Sequence, residues 1–455
     1  MERGRAEHRA RRGSALLAAL AFLVPAGAAA AASRSSISNV QTAVSASAAT
    51  VRWTTPTASR GQVAFGAGAL TLYSARELVA STVHRVELRD LSPATTYAFE
   101  IQSSAGTSAG TLTTPPRSST PVFGVAGTHV TADGALFFPV LSYEQCVDTA
   151  GRAVTAGVDM FVQAPYTGCA QPAGVSPPFV LGDDYATAAG AGWYLPDEPD
   201  GWGIAPEQLP HLPPVAETGR LRVLNVTQHF YSGQAPINGG FDRNDYKRFA
   251  SLADVVGFDL YPVAKFCGRV PLLDVFRAQR ELTTIYAPGK PTFQWIETSA
   301  MTGECPTMRV TPQIVNAEMW LAVAGGACGL GYFTTSYTGG AWNRWDFEPG
   351  VEAQLPATVA RIERLAPALC TDVGSVIVPW DGTVAATSRT LNGAVYVIAV
   401  NGSAQPTAVP FRVDSAAGRN LQVLDERRTL VPVKGSIYRD RFGPYEVHVY
   451  LAPPR

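Results

Sequence analysis

From residue 120 to 370 the chain alternates short apolar runs with longer amphipathic stretches, and this repetition constrains the fold more than any other feature. The apolar runs are 122–126, 160–164, 192–195, 223–226, 255–261, 292–296 and 329–333. Each has strand length, and helical spacing fills several of the gaps, at 143–156, 245–253, 272–286 and 312–325. Strands separated by helices build a parallel sheet, because only a long crossover returns the chain to the next strand in the same direction. Eight such units close a (β/α)8 TIM barrel. Seven runs are plain, and Phe179-Val180-Leu181-Gly182 supplies strand three. Counting back from the last run, 329–333 is strand eight, Glu297 ends strand seven, Tyr261 ends strand six, 223–226 is strand five and Glu198 ends strand four. On the same reading 122–126 is strand one and 160–164 strand two.

Two all-β segments flank this region, making the chain multidomain: an N-terminal β-sandwich over 36–115, the barrel over 120–370 and a C-terminal β-sandwich over 374–453. In the first, Thr50-Val51-Arg52-Trp53-Thr54 is one strand, and Leu91-Ser92-Pro93-Ala94-Thr95-Thr96-Tyr97 turns a corner into another. The Leu-x-Pro-x-Thr-x-Tyr run with the strand tryptophan resembles a fibronectin type III domain. That resemblance implies a core-filling Trp53, a Tyr97 hydroxyl tied to nearby backbone, and a spacer or docking role. The Thr/Pro/Ser-rich stretch 113–119 reads as the linker. At the front, Arg3, Arg5, Arg9, Arg11 and Arg12 precede an apolar run and a string of small residues, so 1–32 reads as a signal peptide and the chain as secreted. Six cysteines in an exported chain imply disulfides, and spacing alone leaves the pairing open. Cys267 and Cys305 both follow predicted strands, which puts them in loops on one barrel face and makes them a candidate pair.

Carboxylates at the C-terminal ends of barrel strands point to chemistry, because that face carries the site. Glu198 lies in Trp193-Tyr194-Leu195-Pro196-Asp197-Glu198-Pro199, and Glu297 ends Pro291-Thr292-Phe293-Gln294-Trp295-Ile296-Glu297. Breaking a glycosidic bond needs one carboxyl to give a proton and another to stand as an anion. Glutamates on strands four and seven, with the strand-six run Asp254-Val255-Val256-Gly257-Phe258-Asp259-Leu260-Tyr261-Pro262, resemble the clan A glycoside hydrolases. The resemblance implies a retaining double displacement, with Glu198 as acid/base and Glu297 as nucleophile. One position departs: many members carry Asn before the strand-four glutamate, and here Asp197 stands there, itself a sugar contact or acid candidate.

Further substrate-binding candidates are His129, Gln163 and His229, at or beyond the expected ends of strands one, two and five, with Asp259 and Tyr261 on strand six. Trp342 and Trp345, in the loop after strand eight, are candidate platforms for sugar faces. The net charge of −1 offers no electrostatic case for nucleic acid or an anionic membrane, and no segment after the leader reads as a membrane span. Carbohydrate is the expected partner, no cofactor is implied, and the β-domains are candidate surfaces for docking on cell wall or polysaccharide. Two other readings compete. A degenerate barrel would bind polysaccharide without turnover. A metallophosphoesterase would use Gly182-Asp183-Asp184 and Gly127-Thr128-His129, against a scattered set of histidines that lacks His-x-His.

Overall fold

The computed structural model describes residues 36–117, 120–163, 169–170, 177–182, 190–233, 240–305, 307–338, 340–378 and 382–455. The leader reading therefore lies outside the described residues, as do Asp183, Asp184 and part of the linker. Residues Ser35–Arg455 form one compact unit.

Eight parallel strands close the barrel: Val140–Ser142, Met160–Val162, Phe179–Gly182, Gly192–Tyr194, Leu221–Thr227, Val255–Asp259, Thr292–Glu297 and Leu330–Phe333. Strands two to eight fall where the apolar runs put them. The interior is filled by rings that need glycine as a neighbour. A Cβ on Gly257 of strand six would lie 2.2 Å from the Phe293 ring, and one on Gly331 of strand eight 2.3 Å from the Trp295 ring. Strand seven thus fills the barrel by laying its two inward aromatics over glycines on both neighbouring strands.

Strand one differs from expectation. It is Val140–Ser142, and the run around Phe123 belongs to a separate three-stranded antiparallel sheet of Phe123–Ala126, His129–Ala132 and Ala135–Phe137. Asp133 and Gly134, both at positive φ, make the second turn of this sheet, as an Asp-Gly hairpin demands. The sheet plugs the barrel end opposite the site: Phe123 and Phe137 meet Phe179 of strand three edge-on at 5.3 and 6.3 Å. Each such ring pair contributes about 0.5–1.5 kcal/mol beyond burial.

The front region is two antiparallel sheets, Ser38–Val44, Ala49–Ser59 and Ser81–Leu88 against Leu72–Tyr73, Gly61–Gly66, Thr96–Ser103 and Gly106–Thr113. Trp53 is buried between them, and the Tyr97 hydroxyl accepts the Ser92 N–H at 2.7 Å. The C-terminal region sets a six-stranded sheet against the pair Thr407–Arg412 and Ile437–Phe442. Its central strand Ala394–Asn401 is buried on both faces. Val395, Val397 and Ala399 face the small sheet, while Tyr396, Ile398 and Val400 join the apolar core that contains the helices Pro312–Gly325 and Val351–Leu369. That same core takes in Trp53, Phe65 and Ile101 of the front sheets. The three regions are therefore fused: Tyr396 donates its hydroxyl to the Thr71 carbonyl at 2.7 Å, and Asn392 donates to that of Tyr73 at 2.6 Å. Arg389, fully buried, donates to Leu369 at 2.9 Å and to Val323 at 2.8 Å, satisfying carbonyls in the last turns of both helices. All six cysteines are bridged, as Cys146–Cys169, Cys267–Cys305 and Cys328–Cys370. Among the described residues no helix is long and apolar enough to cross a membrane.

Candidate active site

Above the aromatic floor the strand ends surround a cavity of about 950 Å³. Trp295 forms its base, and Tyr143 sits edge-on to it at 5.6 Å while stacking on Phe333 at 5.6 Å. Glu198, Asp197, Asp259, Tyr261, His229 and Trp342 all line this cavity. Strands four, five and six therefore converge as the sequence reading placed them.

Glu198 follows strand four with φ +47°, a left-handed conformation that costs a non-glycine residue about 1–2 kcal/mol. Its N–H donates to the Asn225 carbonyl at 3.2 Å, and its own carbonyl accepts from Gly201 and Trp202. That tight turn swings the Glu198 side chain over the barrel mouth, where its charge acts on Asp259 of strand six. Burial raises both above the ordinary carboxylate range, and the Glu198 charge raises Asp259 further.

Asp197 is a different kind of acid. It accepts the Tyr143 hydroxyl at 2.9 Å, the Tyr194 hydroxyl at 2.9 Å and the Asn225 side-chain amide at 3.1 Å. Burial pushes its carboxyl up, and these three donors oppose that by favouring the anion. Asp200 locks the loop behind them by accepting the Thr227 N–H at 3.0 Å and the Tyr246 hydroxyl at 3.0 Å.

Glu297 is placed elsewhere. It ends strand seven with no exposure and is not among the residues lining the cavity. Its Oε1 accepts the Val263 N–H at 2.9 Å, its other oxygen accepts the Ala264 N–H, and its charge helps raise the pKa of buried Glu318 in the helix Pro312–Gly325. It thus fastens the turn after strand six, whose Ala264, Lys265 and Phe266 form cavity wall. The Cys267–Cys305 bridge closes the same turn onto the loop after strand seven.

Three other candidates are also away from the cavity lining. His129 lies in the plug sheet, because strand one begins later than expected. Gln163, just past strand two, is half-buried and outside the lining. Trp345 is buried, donating its indole N–H to Glu352 at 2.9 Å. Sequence reasoning passed over Tyr143, which follows the true strand one, and Asn225, which reads in isolation as a sequon. It also passed over Asp200 and Arg344.

Polar atoms without partners cluster here. The buried Asn225 Oδ1, Asp259 Oδ1, Thr335 Oγ1, His229 Nδ1 and Arg344 Nε have no hydrogen-bond partner, and all five residues line the cavity. Buried orphans of this kind are rare and mark places a ligand completes. Burial lowers the His229 pKa and favours its neutral ring. Among the described residues no group of three or more His, Cys, Asp and Glu is arranged to hold a metal ion.

No protein-family model matches the sequence, and no curated protein matches it. Solved structures similar to it are glycoside hydrolases. An Anoxybacillus α-amylase is 11% identical over 51% of this chain and 59% of its own, with a TM-score of 0.33. A Geobacillus thermoleovorans α-amylase complexed with acarbose is 13% identical over 68% and 62%, with a TM-score of 0.39. A β-D-glucuronidase of Dictyoglomus thermophilum is 12% identical over 71% and 68%, with a TM-score of 0.34. The chain thus spans less than two thirds of either amylase. Likeness this distant carries nothing about the reaction.

Proposed function

We propose that this chain is an exported glycoside hydrolase that cleaves O-glycosidic bonds of an oligo- or polysaccharide by a retaining double displacement. The observation that carries the reading is the Glu198–Asp259 carboxyl pair, held over an aromatic floor and ringed by unpartnered donors and acceptors. A polyhydroxylated ligand presents both donors and acceptors, and its apolar C–H faces suit Trp295, Phe333 and Trp342.

Glu198 is the proton donor. Burial raises its pKa above the usual carboxylate range, and the left-handed backbone fixes its reach. Asp259 is the nucleophile: Glu198 gives its proton to the glycosidic oxygen as that C–O bond breaks, and Asp259, as the anion, bonds the anomeric carbon. The retaining reading requires the two carboxyls to stand ~5–5.5 Å apart with the sugar between them, short of the ~6.5–9.5 Å of inverting enzymes. Asp197, held by Tyr143, Tyr194 and Asn225, supplies fixed negative charge beside the oxocarbenium-like centre. This assignment gives Asp259 the part that strand position suggested for Glu297, whose oxygens are occupied by backbone amides. The bridged cysteines support an oxidising compartment, and the Tyr97 and Trp53 placements support a fibronectin type III-like spacer in front.

The test is a panel of aryl glycosides and cell-wall polysaccharides, followed by azide rescue of Asp259→Ala and Glu297→Ala. Rescue at Asp259 with an inverted glycosyl azide product is expected. Rescue at Glu297 alone would return the nucleophile to strand seven, and binding without turnover in the unmodified protein would make it a lectin-like barrel.

A further inference from the structure

Among the described residues, Arg344 is the Lys or Arg of the cavity wall that has no acidic partner. Lys265 also lines the cavity, but its ammonium is held by Glu304 at 2.8 Å. Among the described residues Arg344 forms no ion pair, its side chain makes no hydrogen bond, and its Nε is buried without a partner. What is bonded at this residue is its main-chain carbonyl, which accepts from Gln145 and Thr334 at 2.7 Å each. The backbone is therefore pinned while the guanidinium stays unmatched.

Its neighbours sharpen the point. Trp342 lies two residues earlier, in the short strand Ala341–Asn343. It is 61% exposed and lines the same cavity. Among the described tryptophans only Trp202 and Trp342 are exposed, and both line this cavity. The hydroxyl of Thr335, a second orphan donor, borders the same wall. An exposed ring beside an unpaired guanidinium presents a flat apolar face next to a charge, with the acids of the cleavage centre on strands four and six across the mouth.

Resting on the hydrolase reading above, we infer that the substrate is an acidic glycan, whose anionic substituent is read by Arg344 while its ring stacks on Trp342. The Nε–Nη edge of a guanidinium matches two oxygens of a carboxylate or sulfate side by side, and such a pair would supply the partner that Nε lacks. A neutral sugar hydroxyl would satisfy Nε but not the charge. Standing on the strand-eight side, the anion is read away from Asp197 and the Glu198–Asp259 pair, where it would be repelled.

The test uses the full chain carrying Glu198→Gln, so that binding is measured without turnover. Calorimetry compares neutral xylo-oligosaccharides with glucuronic-acid-substituted ones, cello-oligosaccharides with oligogalacturonates, and a chondroitin sulfate oligosaccharide. At least one acidic glycan should bind about tenfold more tightly than the neutral ones, with its affinity falling as salt rises. Adding Arg344→Gln should bring the acidic-to-neutral ratio close to one, and Arg344→Lys should restore part of it. A carboxylated ligand preferred over the sulfated one identifies uronate; the reverse identifies sulfate. Neutral glycans binding as well as acidic ones, or Arg344→Gln weakening both alike, would overturn the inference and leave the hydrolase reading standing. Binding of no glycan at all would remove both.

Discussion

Replacing Cys267 and Cys305 together by serine tests how the cavity wall is held. The bridge closes a sequence separation of 38 residues. Chain-entropy arithmetic for a loop of that length gives roughly 13 cal/mol/K, or about 3.9 kcal/mol at 25 °C, taken from the unfolded state. The native state loses something as well, because the bridge joins two pieces of wall: Ala264–Phe266 before Cys267, and Met301 and Thr302 before Cys305. The Glu297 bonds to Val263 and Ala264 remain and keep the turn's near end in place. The expected outcome is thus a large stability loss with a smaller functional one. Guanidinium unfolding followed by tryptophan fluorescence, with the bridged parent alongside, should show about 3–4 kcal/mol lost. Substrate affinity should weaken several-fold while turnover at saturation changes less. A loss below about 1 kcal/mol would refute the entropic reasoning, and a collapse of turnover with stability intact would show that the bridge positions the acids themselves.

Two further perturbations probe the packing. Glu363, on the helix Val351–Leu369, is pushed up to about 7 by burial, from 4.5 when unfolded. A raised folded value means that its contribution to stability is complete below about pH 4.5 and is lost as pH rises through 7. The full difference is worth about 3 kcal/mol. Glu363→Gln, which mimics the protonated form, should stabilise the protein at pH 8 and leave it almost unchanged at pH 4.5, with an equal effect at both refuting the assignment. Gly331→Ala places a methyl 2.3 Å from the Trp295 ring, and should destabilise by about 1–3 kcal/mol and lower activity by lifting the cavity floor. Unchanged activity and stability would mean that strand eight shifts freely.

Barrel strands two to eight could be read because each is a compact apolar run with turn residues at its ends. The helix Pro312–Gly325 could be read from the proline at its start and the glycines at its end. Strand one could not. Val140–Ser142 is three residues long, and Phe123–Ala126, equally apolar, competed with it. The Asp133-Gly134 pair was the available signal, since it marks a hairpin where a parallel barrel needs a crossover. Missing it displaced His129 and hid Tyr143. The helix Val351–Leu369 was masked by Pro356 and Pro367 within it. At the site, strand ends were legible but directions were not. By alternation Glu297 shares the inward face with Phe293 and Trp295. Nothing in the sequence says that two amides of the following turn would capture it.

Many polysaccharide-degrading enzymes carry their accessory domains on flexible tethers, so that a surface-bound module lets the catalytic domain sweep a radius set by linker length and raises its effective concentration there. The shared core here forbids that. With Trp53, Tyr396 and the barrel helices in one apolar mass, and Arg389 sealing two helix ends, neither sandwich can swing. Any surface they rest on is held at a fixed distance and angle from the Glu198–Asp259 pair. On the proposed hydrolase reading, such a molecule would work like a rigid gauge, favouring strands whose protruding chains reach the cavity at one set height, with mobility in the encounter coming from the glycan.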